Sequence, residues 1–220
     1  MLRSYSQAGQ DVFVYNILYK GMNIKNWYFL DIGCSQPFID NNTFVLENLG
    51  WRGILLDVYD VANDPNHVAI RDRKSPFICA DATTINWDTL NIPYSIDYIS
   101  FDIDSATIKG IDNFPWKNCR TKIITIEHDI YHAGSEAKIK IYNTLTEYGY
   151  TLVCDNVKNH GDMFEDWFVD TNVVPEYLWE KYKCHNKEYQ DIVDVVREPQ
   201  PVGFYPPYIN SFIPWEISLL

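Results

Sequence analysis

Positive charge, glycine and long apolar runs are all scarce in this chain. Its 18 Lys and Arg face 30 Asp and Glu, for a net charge of -12. A nucleic-acid binder needs a basic face to displace counterions, and no Lys/Arg cluster dense enough to supply one occurs. Anionic membrane surfaces are disfavoured for the same reason. No apolar stretch is long enough to span a bilayer, and the opening "MLRSYSQAGQDVFVYN" lacks the apolar core of a secretory signal. The five cysteines (34, 79, 119, 154 and 184) are odd in number, widely spaced and form no CxxC pair. They read as free thiols in a reducing compartment, so the protein is expected to be soluble and cytoplasmic. Internal repeats and low-complexity linkers are missing too.

What is present is enough for one packed domain over 1–220: 220 residues, 46% hydrophobic. Short apolar runs bounded by turn residues alternate with helical patterns, which predicts parallel strands joined by crossover helices. Strands are expected at 27–31, 53–57, 77–81, 97–104 and 122–128. A helix is expected over 7–19, another from the N-cap Asn42 to Gly50, and a third after Ser135. Segments 151–155 and 164–170 suit an antiparallel hairpin. Residues 1–172 form the expected core. From 173 onward the chain is an irregular aromatic and proline-rich tail, with one short helix after Pro175, expected to pack on that core.

The apolar run ending in Asp31 and Gly33 looks like a strand feeding a ligand loop, but Cys34, Ser35, Gln36 and Pro37 stand where further glycines would cradle a pyrophosphate. The carboxyl ends of the expected strands are acidic instead: Asp31, Asp57, Asp81, then Asp102 and Asp104, then Glu127 with His128. Ligands of open α/β sheets bind at that edge. Asp57 is placed to accept from both hydroxyls of a ribose, and Asp81, followed by Ala82, from the exocyclic amine of an adenine. An acidic, glycine-poor rim disfavours NAD and ATP and suits a cationic adenosyl ligand without phosphate, S-adenosylmethionine. Gly33 is expected to let the backbone approach it.

Five stretches, "YSQAGQD" (5–11), "FLDIGCSQP" (29–37), "NNTFVLENLGWRGILLD" (41–57), "DYISFDIDS" (97–105) and "IEH" (126–128), together resemble the FkbM family of S-adenosylmethionine-dependent methyltransferases. The order and spacing agree over 5 to about 130, with a weaker match to about 170. The resemblance implies the class I methyltransferase (Rossmann-like) fold: about seven mostly parallel strands, a C-terminal antiparallel hairpin and helices on both faces. It implies O-methylation of a sugar hydroxyl in a glycan or glycoconjugate. It also implies that Gln7, Cys34, Ser35, Asn42 and Thr43 lie around the cofactor with Asp31, Gly33, Asp57, Asp81, Ala82 and Asp102. Two positions depart from the family pattern: Cys34-Ser35-Gln36-Pro37 replaces Ala-Asn/His-x-Gly, and Ser105 replaces a glycine.

A sugar hydroxyl is a poor nucleophile at neutral pH, so a base or a metal must help remove its proton. Two versions stand open. In one, Asp102, Glu127 and His128 bind Mg²⁺ or Mn²⁺, which orients two vicinal hydroxyls, with Asp104 or His128 as base. In the other no metal is needed, and His128 is the base with an Asp orienting it. A small phenol or carboxylate acceptor, or a non-catalytic glycan-binding module on the same scaffold, are the alternatives to a sugar methyltransferase.

Overall fold

A computed structural model describes residues 3–23, 27–64 and 68–194. The strands are β1 (Tyr28–Ile32), β2 (Arg52–Asp57), β3 (Phe77–Cys79), β4 (Ser95–Phe101), β5 (Arg120–Glu127), β6 (Thr151–Asn159), β7 (Asp162–Val169) and β8 (Cys184–His185). They form one sheet in the order β3-β2-β1-β4-β5-β7-β6-β8. β1 to β5 run parallel, and β7 enters antiparallel between β5 and β6. The hairpin is longer than expected. Its strands run to His160 and Gly161, both at positive φ, the conformation that a tight two-residue connection needs. β8 is an unexpected eighth strand. Its two residues add in parallel to the outer edge of β6, too short a run to show any periodicity.

The helices are α1 (Gln10–Val14, continuing in wider π-helical turns through Tyr15–Met22), α2 (Phe44–Asn48), α3 (Thr107–Asn113), α4 (Ile130–Ala133), α5 (Glu136–Glu147) and α6 (Glu176–Trp179). Strand alternation sorts the core into two layers. Phe29, Leu55, Tyr98, Ile123 and Trp167 face α1, Leu46 of α2 and Trp179 of α6. Leu30, Leu56, Ile99, Ile124 and Phe168 face Ile111 of α3 and Ile141 and Leu145 of α5. Helices therefore cover both faces.

The first helix starts at Gln10, three residues later than expected, because Gly9 turns the chain at φ 71. The Asp11 carboxylate gathers the segment before it, accepting from Ser4 Oγ, Ser6 Oγ and the Tyr5 and Val12 N–H groups. At α2 the capping side chain is Asn41 rather than Asn42: Asn41 Oδ1 accepts the N–H of Thr43 and of Phe44. No helix among the described residues is long and apolar enough to cross a membrane. Of the expected tail, 173–194 folds onto the sheet, with Tyr189 and Val193 in the core. The stretch from 195 onward lies outside the described residues.

Candidate active site

Register explains why the acids meet. Ile32 of β1 pairs with Leu56 of β2 and Phe101 of β4, and Phe101 pairs with Ile126 of β5. One residue further along each strand, the row reads Asp57, Gly33, Asp102, Glu127, and it continues to Glu165 of β7, the partner of Glu127. Residues of one row share a face. Here it is the α1 and α2 face. Two residues earlier the same face carries Leu55, Asp31, Ser100, Thr125 and Trp167.

Gly33 sits where this row is tightest. Its φ is +84, and a Cβ there would lie 1.5 Å from the Asp102 carbonyl oxygen. The glycine thus serves the crossing of β1 and β4, a stronger demand than the ligand approach expected of it. The Gly33 and Cys34 N–H groups bond to Leu56 O. Ser35, exposed and at φ 37, gives its N–H to Asp57 Oδ2, while Asp57 Oδ1 takes the Tyr59 N–H. Each Asp57 oxygen keeps one lone pair for a further donor.

No glycine holds the rest of this loop; a buried ion pair does. The Arg73 guanidinium donates to Glu47 Oε1, Pro37 O, Asn41 Oδ1 and Thr43 Oγ1 at 3.0–3.1 Å. Asn41 Nδ2 and Thr43 Oγ1 in turn donate to Asp31 Oδ2. Burial raises the Asp31 pKa against the pull of Thr43 and Arg73. Asp31 braces the loop through Oδ2, and Thr43 does the same through its hydroxyl. Arg73, Glu47 and Asn41 are supports of this loop that the sequence did not announce; only the tertiary fold brings Arg73 to them.

At the ends of β4 and β5, carboxylate oxygens of Asp102, Asp104 and Glu127 lie within 4.8 Å of one another. Burial and the crowding of acids raise the pKa of both Asp102 and Glu127. Asp104 is exposed, at φ 49, and Asp129 is likewise at φ 49, buried beside them. Non-glycine residues at positive φ, gathered at one sheet edge with Ser35, mark stored backbone strain.

His128 does not join this cluster. It follows Glu127 directly, so strand alternation sends its ring to the opposite face, where Nε2 lies 3.4 Å from Asp166 Oδ1 and Lys138 donates to the same carboxylate. His128 Nδ1 accepts the Ile130 N–H, which leaves the proton on Nε2. Of the expected trio, the structure brings Asp102 and Glu127 together, with Asp104 beside them, and sets His128 apart on the other face against Asp166.

The remaining expected residues are spread along the rim. Asp81 lies two residues past β3, with Oδ1 closed onto the Thr83 N–H and hydroxyl; Ala82 beside it is buried. Asn42 donates to Ser100 Oγ, at the level of Asp31. Cys34 is buried, and burial, Asp31 and Asp57 push its thiol well up, so it is no nucleophile. Gln7 is half-buried in the turn tied by Asp11. Its neighbour Gln10 reaches the acid row instead, donating to Glu165 Oε2.

Solved structures share this fold. A TehB-like SAM-dependent methyltransferase from Corynebacterium glutamicum aligns with a TM-score of 0.50 at 14% identity, over 73% of this chain and 86% of that one. An rRNA methylase from Streptococcus thermophilus aligns at 0.50 and 13%, over 77% and 98%. Magnesium protoporphyrin IX methyltransferase from Synechocystis, with bound SAM, aligns at 0.50 and 13%, over 74% and 77%. This is the class I methyltransferase fold. No family model matches the chain, and no curated protein matches it. In class I terms the acid row crosses the carboxyl edge of the central strands, where open α/β sheets take their ligands.

Glu165 offers a test of this electrostatic description. Burial first, then Asp102, pushes its carboxyl up to about 8 from an ordinary 4.5, although Trp167 and Gln10 donate to it. The native state then holds a proton that the unfolded chain releases. Stability is fullest below pH 4.5 and is lost as pH rises towards 8, by about 1.4 kcal/mol per unit in the middle of that window. Glu165→Gln keeps an acceptor for both donors and cannot ionise. Urea denaturation should find the variant close to wild type at pH 4.5 and more stable by several kcal/mol at pH 8. An advantage that does not grow with pH would refute the shift.

Proposed function

We propose that this chain is a SAM-dependent O-methyltransferase acting on a sugar hydroxyl of a glycan or glycoconjugate. One observation carries the reading. On the face that carries the acid row, the buried side-chain atoms without a partner at the carboxyl edge, Asn42 Oδ1, Glu127 Oε2 and Asp129 Oδ1, are acceptors, while the unpartnered His128 Nε2 lies on the opposite face. A face lined with such acceptors asks for a ligand that brings donors and positive charge. SAM has both, in its ammonium group, ribose hydroxyls, adenine amine and sulfonium. The residues fit it: Asp57 keeps lone pairs for ribose hydroxyls, Asp81 Oδ2 is open to an exocyclic amine, and the loop after Gly33 offers no glycine cradle for phosphate.

When bound, SAM supplies an electrophilic methyl group. Asp57 and Asp81 would fix the adenosine. Asp104, exposed at the rim, would be the base that takes the acceptor proton. Asp102, Asp104 and Glu127 also fit a hard divalent cation, Mg²⁺ or Mn²⁺, which would offset their mutual repulsion and lower the pKa of an acceptor hydroxyl. The FkbM resemblance supports a sugar as acceptor, and the net charge of -12 opposes a polyanion such as RNA.

Titration calorimetry should detect SAM binding, weakened at least tenfold in Asp57→Ala. Absence of binding by wild type overturns the cofactor assignment. With labelled methyl donor and a panel of methyl-free glycosides, label should appear in a glycoside, fall away in EDTA and return with Mn²⁺ or Mg²⁺. Label in phenols or carboxylates alone overturns the sugar; full activity in EDTA overturns the metal.

A further inference from the structure

Cys154 and Cys184 are 30 positions apart in the chain, and each reads there as a lone thiol. The sheet makes them direct neighbours. Cys154 of β6 and Cys184 of β8 are Cα partners in parallel register, so their side chains leave the sheet on the same face. Both pack against the α1 and α6 layer of the core. Cys154 is fully buried and donates to Tyr182 O at 3.3 Å, which anchors its sulfur beside the start of β8. Cys184 is only half-buried, so a small reagent can reach it. The neighbouring Cys154 thiol, ahead of the other influences, draws the Cys184 pKa down, while burial drives Cys154 well up. One sulfur is thus reachable and the easier to ionise, and the other is sheltered directly behind it.

We propose that Cys154 and Cys184 form a reversible thiol–disulfide site that takes a low-molecular-weight disulfide as oxidant, with Cys184 as the attacking and Cys154 as the resolving thiol. In the first step the Cys184 thiolate attacks one sulfur of oxidised glutathione. The glutathione S–S bond breaks, and one glutathione leaves with the proton that Cys184 gave up. In the second step Cys154 loses its proton and attacks the Cys184 sulfur of the mixed disulfide, expelling the second glutathione, which takes up that proton. Two protein thiols are oxidised to one disulfide and one glutathione disulfide is reduced to two thiols, so protons and electrons balance. The product bond would staple β8, a two-residue edge strand, to β6. The next residues along the same strands, Asp155 and His185, are in hydrogen-bond contact, and Asp155 shares Lys138 with Asp166, the partner of His128. The staple therefore closes at the outer end of the charged chain behind β5.

The test uses the full chain, reduced, freed of reductant, and exposed to oxidised glutathione. Remaining thiols are then alkylated in denaturant, and the cysteine peptides are mapped by mass. The expected result is a 154–184 disulfide with the loss of two hydrogens, reversed by dithiothreitol. Cys154→Ser should instead retain glutathione on Cys184, and Cys184→Ser should show neither bridge nor adduct at Cys154. Two results would overturn the proposal: wild type in which both residues are alkylated while the exposed Cys79 has taken up glutathione, or wild type in which glutathione persists on Cys184. The wild-type map decides even if a variant fails to fold.

Discussion

Gly33→Ala should abolish the folded site. A Cβ at this position meets the Asp102 carbonyl oxygen at 1.5 Å, a backbone atom that no rotamer change can move away. Relief requires β1 and β4 to part, which breaks the bond from Asp102 N to Ile32 O at 2.8 Å and disturbs the one from Gly33 N to Leu56 O. An L-residue held at positive φ adds about 1–2 kcal/mol. The sum is on the order of 4 kcal/mol or more, a large share of the 5–15 kcal/mol that holds a typical domain together. Gly50→Ala is the control. Gly50 also has positive φ, +97, but nothing lies within 4 Å of the added methyl, so it should cost only about 1–2 kcal/mol. Urea denaturation of both variants separates the clash from the dihedral. Equal losses would mean that the crossing at Asp102 is not as close as described.

Arg73→Met should cost about 3–5 kcal/mol, the usual penalty for removing one partner of a buried ion pair. The reason is what it leaves behind. Burial alone would raise the Glu47 pKa, and it is Arg73, with the Ser75 and Lys74 donors, that holds it below the ordinary range. Without the guanidinium, a carboxylate 2% exposed loses its counter-charge. The carbonyl of Pro37 and the side chains of Asn41 and Thr43 lose a donor in the same step. Because Asn41 and Thr43 hold Asp31, loosening should reach the proposed SAM pocket. Adding Glu47→Gln to Arg73→Met should recover part of the stability, since it removes the stranded charge. A double variant as unstable as the sum of the single ones would show that the two residues act separately. Denaturant melts of the four proteins supply the cycle, and calorimetry with SAM reports whether affinity falls with stability.

Both effects depend on how much of this molecule is written locally. The parallel strands, the hairpin and the acids at the strand ends follow from short-range signals, namely apolar runs, turn residues and period. Asp31, Asp57, Asp102 and Glu127 could be named from position alone. Boundaries moved by a few residues where a side chain elsewhere competed, as Asn41 did with Asn42 for the cap of α2. Which acids act together was not local. Glu127 and His128 are adjacent in sequence, yet the pleat sends them to opposite faces; Asp57 and Glu127 are 70 positions apart, and register sets them in one row.

The sequence by itself determined the α/β class, the acidic carboxyl edge and the lack of a phosphate cradle, because each arises from residues close together in the chain. Only the tertiary structure decided that Gly33 is demanded by Asp102, that Arg73 supports the loop, that His128 faces Asp166 and that Cys154 meets Cys184. Those pairings are set by strand order and register, which depend on the whole sheet closing at once and leave no mark on any one segment.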